Sequence, residues 1–279
     1  MRSAPVHGTF GPMSRRFAKP PLVEAIVELH WALSKSEDGT FEDPRYPLFA
    51  SALHEKLSDS YPHFEKLPAS ELPDKLTPHV VKLRSRKGPN AWPVYQIGPG
   101  VCTLNFTKEY HWDAFRAAAT ELHGALCDAY AGRSGHSPRF TMLQVRYLNA
   151  FNVGSDWADS LGFLANKLHT QFLLPQGITS IDGVRANHSQ IDVSVQLRLE
   201  RPVGTGLIKF TSGTAGKLPA VIAELNVKTE APESAPAQTR ADFGTWLDKA
   251  HFLVESWFNE FTRGDLNESF GAKEDAASR

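Results

Sequence analysis

The chain has 279 residues, 41% of them hydrophobic and 22% charged, with a formal net charge of −1. This is ordinary globular composition with enough apolar material for a sizeable core, in one large domain or two fused halves. It provides no global electrostatic pull toward nucleic acid or an anionic membrane. Cys102 and Cys127 are the only cysteines, so neither a disulfide framework nor a zinc site is expected. Both lie in apolar patterns and read as buried free thiols, which suits a reducing cytoplasm.

No apolar run approaches the ~18 residues of a membrane helix. Residues 1–16 carry Arg2, Arg15 and Arg16 without a hydrophobic segment. They read as a flexible leader rather than a secretory signal, with Met1 or Met13 as the start. Pro20 and Pro21 then fix an extended approach to a regular strand. In it Val23, Ala25, Val27, Leu29 and Trp31 point one way, and Glu24, Glu28 and His30 the other. So regular a strand near the start is expected to be an edge or seam on which later pairings register.

A polar turn over 34–40 leads to a helix predicted over 44–60, with Tyr46, Phe49, Ala50, Leu53 and Leu57 on one face. The prolines at 68, 73 and 78 mark residues 65–78 as a loop. Short strands follow at about 81–86, 93–97 and 101–107, separated by glycine- and proline-bearing turns. A long helix over about 109–130 buries Trp112, Phe115, Ala119, Leu122, Leu126 and Tyr130.

The second half opens with a strand at about 140–153, on which Tyr147 and Asn149 share the apolar parity and Gln144 and Arg146 the polar one. Asp156 can cap a helix running to about 171. Strands are then predicted at 191–200, 207–211 and 220–228, and a last helix at 241–263 with the wide stripe Phe243, Trp246, Leu247, Ala250, Val254, Trp257, Phe258 and Phe261. Residues 230–240 read as mobile and 264–279 as a frayed polar tail.

The two halves, 17–135 and 136–263, repeat one order: strand, helix, three strands, helix. Leu104-Asn105-Phe106-Thr107-Lys108-Glu109 aligns with Leu225-Asn226-Val227-Lys228-Thr229-Glu230. A nearly equal shift lays Val23 on Val145, Glu24 on Arg146 and Leu29 on Phe151, with parities preserved. The predicted fold is therefore α+β: duplicated β-α-β-β-β-α units forming a mainly antiparallel sheet with helices on one face, similar in plan to saddle and helix-grip folds.

The polar sheet face carries the candidate binding residues Glu24, Glu28, His30, Arg146, Asn105 and Asn226. Carboxylates beside an arginine can position a ligand or transfer protons; cross-strand ion pairs on a solvated face explain the same residues. Tyr147, Asn149 and His251 are candidates for a buried polar network, with a link between Asn149 and His251. Lys82, Arg84, Arg86 and Lys87 form a basic strand edge that can meet phosphate or block aggregation. The eleven histidines show no metal-ligand spacing, and no phosphate loop or nucleophile elbow occurs, so no metal, cofactor or catalytic group is assigned.

The opening Phe17-x-x-Pro20-Pro21-Leu22-Val23-Glu24-Ala25-Ile26-Val27-Glu28 resembles that of a sporadically distributed family of bacterial proteins without an established activity. Arg146-Tyr147-Leu148-Asn149, and Leu247-x-x-x-His251 followed by Phe258 and Phe261, are similar too. The resemblance spans about residues 17–263 and supplies no catalytic residues. Its patchy occurrence implies an accessory or defence-type gene acting with the product of a neighbouring gene.

The leading expectation is a cytoplasmic binding protein that uses its open sheet face or its edges, with a protein partner or a second copy, or a small molecule, and no membrane. The alternative is an enzyme acting on a small polar or phosphorylated substrate at Glu24, Glu28 and Arg146. A third reading, nucleic-acid binding, suits the near-neutral charge least.

Overall fold

The computed structural model describes residues 17–107, 110–132, 135, 137–153, 160–175, 177–184, 190–230 and 239–271. The expected leader, Asp156 and most of the expected mobile linker lie outside them. The chain is α+β, built on a nine-stranded, wholly antiparallel sheet.

The strands of the first half are β1 (Leu22–Trp31), the small hairpin β2 (Ser34–Lys35) and β3 (Phe41–Glu42), β4 (His63–Lys66), β5 (Leu83–Arg86), β6 (Val94–Gly98) and β7 (Val101–Phe106). The second half contributes β8 (Phe140–Asn152), β9 (Asp192–Glu200), β10 (Val203–Ala215) and β11 (Leu218–Glu230). The sheet order is β4-β5-β6-β7-β1-β8-β11-β10-β9. β1 is thus the seam, paired with β7 on one side and β8 on the other. Its alternation earns that place, because each face of a central strand must suit a different environment.

The order is palindromic about β1 and β8, apart from β4 at one end. Asn105 pairs with Ile26, Ile26 with Arg146, and Arg146 with Asn226. Keeping the two asparagines equivalent therefore equates Ile26, not Glu24, with Arg146. The slip from the expected alignment is two residues. Side chains alternate with period two, so every residue keeps its face.

The helices are α1 (Tyr46–Leu57), α2 (Trp112–Ala131), α3 (Ser160–Lys167), α4 (Arg240–Thr262) and the short α5 (Asp265–Ser269). Their apolar stripes and one face of the sheet share an interior. Trp31, Leu53, Phe115, Leu126, Phe140 and Phe243 are fully buried there, and burying such a side chain stabilises by roughly 1.5–3 kcal/mol. A second cluster joins Phe151, Leu164, Leu168, Phe210 and Val221 under α3. α2 starts at Trp112 rather than near 109 because the His111 ring caps it, accepting from Ala114 N at 3.3 Å. Thr239 caps α4, its Oγ accepting from Asp242 N at 3.1 Å.

Three expectations are corrected. β4 runs into the start of the proline-rich loop and pairs with β5, and two single turns of tighter helix follow within the loop. β5 is consequently not an edge. The polar tail begins with a docked segment: Ala18 N and Lys19 N donate to Gly271 O and Phe270 O at 2.8 and 2.9 Å. Phe270 is buried against Phe17, Phe151 and Phe258, so one aromatic ring outweighs the polar composition around it. β10 and β11 run well beyond the short strands expected, because their hairpin pairs continuously to Ala215 and Leu218.

Candidate recognition face of the sheet

Among the described residues the α-helices pack on the Val27 side of the sheet, so Glu24, Glu28, His30, Asn105, Arg146 and Asn226 share the opposite face. Cross-strand pairing arranges that face in rows. One row reads Arg86, Val94, Asn105, Ile26, Arg146, Asn226, Leu207 and Gln196 from β5 to β9. The adjacent row reads Arg84, Gln96, Thr103, Glu28, Gln144, Lys228, Thr205 and Arg198, polar from end to end.

The acids do not meet Arg146 as expected. Glu24 accepts from Asn105 Nδ2 at 2.8 Å, and Thr103 Oγ1 donates to Asn105 Oδ1 at 2.9 Å. Glu28 is bound by the His30 ring. The nearest carboxylate to Arg146 is Glu224 on β11, at 3.9 Å. Pairing places Arg146 opposite Ile26, one row from either acid, while Glu24 and Glu28 stand four residues apart on one strand. At the strand rise that is roughly 13 Å, so they form no carboxylate pair.

The electrostatics follow this layout. The hydrogen bond from His30 holds the Glu28 carboxyl below the usual carboxylate range against the opposing effect of burial; the charges of His30, Arg146 and His79 add to it. His79 stacks on His30, with ring centroids 4.7 Å apart and planes within 8°. Its Nδ1–H donates to Gly100 O at 3.0 Å, and burial pushes its pKa down.

Asn226 is one of several buried residues on this face, with Val94, Ile26 and Thr103. It is only 6% exposed, and its Oδ1 has no hydrogen-bond partner among the described residues. An amide oxygen buried without a donor costs about 1–3 kcal/mol. It stands one strand from Arg146. Asn105, at the related position, is fully engaged by Thr103 and Glu24.

The basic strand is neutralised from within. Lys82 Nζ is buried and donates to Leu72 O and Asp74 Oδ1 at 2.5 Å each. Glu65 on β4 forms ion pairs with both arginines, at 2.9 Å from Arg86 and 3.5 Å from Arg84. With the Gln96 amide turned so that its oxygen faces Arg84, it accepts from Nε and Nη2 at 2.8 Å each.

The buried polar candidates lie on the other side of the sheet. Tyr147 Oη, from β8, is 3.0 Å from both Tyr110 Oη and His251 Nδ1. The partner of His251 is therefore Tyr147 and not Asn149, which is buried nearby on the same strand. The two are consecutive on the core parity, and only the long phenol spans the gap to α4. Trp112 stacks on His251 with centroids 3.7 Å apart, and burial pushes that imidazole down to about 4. Glu255, 3.9 Å from His251 Nε2, is raised by burial.

Sequence reading missed Glu224 and Thr103, although their polar parity placed them on this face. It also missed His79, for which a loop position offers no periodic signal. No protein-family model and no curated protein matches the chain.

Proposed function

We propose that the protein acts by binding, and that the sheet face opposite its α-helices receives a segment of a partner polypeptide. The observation that carries this reading is the buried Asn226 Oδ1, without a partner among the described residues, on the strand position opposite Arg146. The first needs a donor and the second offers donors, and a peptide group supplies the matching N–H and C=O together. Glu28 and Lys228 in the next row suit a segment carrying both charges.

Catalysis has less support, since the two acids lie far apart and each has its own partner. Nucleic-acid binding has less again, because Arg84 and Arg86 are matched by Glu65 and Lys82 by Asp74. No helix among the described residues is long and apolar enough to cross a membrane. We place the protein in the cytoplasm, where its two unpaired thiols persist. A partner encoded beside its gene fits the family resemblance.

The test is co-expression with the adjacent gene products, purification and mass spectrometry of what is retained. A stoichiometric partner is expected on the wild type and should be lost from Arg146→Glu and Asn226→Leu, which remain folded. A wild type that retains nothing, or retention unchanged in both variants, overturns the reading.

A further inference from the structure

The two ends of the sheet are finished differently. In the first half β4 covers β5, and Glu65 stands directly opposite Arg84. The palindromic order places β9 where β5 stands, and Arg198 ends the cross-strand row that Arg84 begins. No strand lies outside β9 among the described residues, and Arg198 has no ion-pair partner among them.

β9 is a nine-residue edge without proline, lysine or a bulge to blunt it. Ser212 N donates to Ile191 O at 2.9 Å. By the alternation of an antiparallel ladder, the even-numbered residues of β9 turn their N–H and C=O groups outward. On the helix side Val195 and Leu197 are 43% and 36% exposed.

We infer that β9 pairs antiparallel with β9 of a second copy, about a twofold axis normal to the sheet through Val195. Such an axis keeps both helix layers on one side, which requires facing residues of equal parity. Centring on Val195 sets Asp192 opposite Arg198 of the partner subunit, twice, and Val193 opposite Leu197 of the partner subunit, twice. Centring on Gln196 instead opposes Asp192 to Glu200 of the partner subunit, and centring on Ser194 leaves Arg198 without an acid. Only the Val195 register gives Arg198 what Glu65 gives Arg84 while covering both exposed apolar side chains. The pairing is independent of the polar-face reading, which uses other residues.

Sedimentation of the full chain at micromolar concentration tests it. A reversible dimer is expected. Gln196→Pro removes an outward N–H and spares every bond to β10, so it should give a monomer of unchanged thermal stability. Arg198→Asp should weaken the dimer at least about tenfold by opposing acid to acid, and Asp192→Arg with Arg198→Asp should restore it. Under mild oxidation Val195→Cys should cross-link to itself, and Ser194→Cys and Gln196→Cys should not. A monomeric wild type, a dimer indifferent to Gln196→Pro, or cross-linking at 194 or 196 in preference to 195 overturns the proposal.

Discussion

Tyr147 and His251 meet at 3.0 Å between the sheet and α4, joining the first strand of the second half to that long helix. Tyr110 extends the contact from the start of α2, so one phenol ties together three segments distant in sequence. Tyr147→Phe removes that hydroxyl and strands both partners in the interior. A stranded buried polar group costs about 1–3 kcal/mol, and Tm falls about 2–4 °C per kcal/mol in a chain of this size. Thermal unfolding of Tyr147→Phe should accordingly show a loss of several degrees, with the secondary structure intact.

The same histidine makes stability depend on pH. Its pKa is about 4 in the folded chain against 6.5 ordinarily. Between those values the unfolded chain binds a proton that the folded chain does not. The imidazole therefore contributes fully above pH 6.5, and its contribution is lost as pH falls toward 4. The span corresponds to about 3 kcal/mol. Urea unfolding across this window should show stability falling with acidification, and the slope should be reduced in His251→Gln.

Asn226 should be more useful than stabilising. Replacing a buried acceptor that lacks a donor with an apolar side chain of similar shape is close to neutral or favourable. Asn226→Leu should thus melt at or above the wild-type temperature. An Asn226→Leu protein that melts much lower would mean that the amide is held by a contact within the fold.

Gly98 and Gly124 look alike in sequence but not in surroundings. A Cβ on Gly98 would intrude on the Val80 carbonyl, which belongs to the backbone. On Gly124 it would meet the end of the Arg240 side chain, which can swing away. Gly98→Ala should cost more than about 3 kcal/mol, at the level of severe core lesions. Gly124→Ala should cost under about 1 kcal/mol, since alanine also favours the helix. Urea midpoints of the two variants give the comparison.

Parity was legible in the sequence, and parity decides most of this fold. Once Ala25, Val27 and Leu29 are assigned to the interior, Glu24, Glu28 and His30 must lie opposite; the stripe from Phe243 to Val254 likewise fixes the buried side of α4. Partners were not legible. Nothing local says that Arg146 reaches Glu224 rather than Glu24, because register depends on all the ladders at once. The bulge at Val23 in β1, where pairing jumps from Leu22 to Glu24, is one irregularity that no periodic reading anticipates. β4 escaped because His63-Phe64-Glu65-Lys66 is too short and polar to announce a strand until β5 is placed beside it. Phe270 escaped because a single ring in a polar stretch has no period.

The backbone bonds from Ala18 and Lys19 to the residues around Phe270 bring the start and finish of the described fold side by side. A short peptide bridge could close that seam into a ring. New termini could then be opened at the tight β10–β11 turn around Gly216, which lies open to solvent. Such a circular permutant should fold with the same strand order, because the sheet is held by pairings across the sequence and not by the point at which the chain is cut.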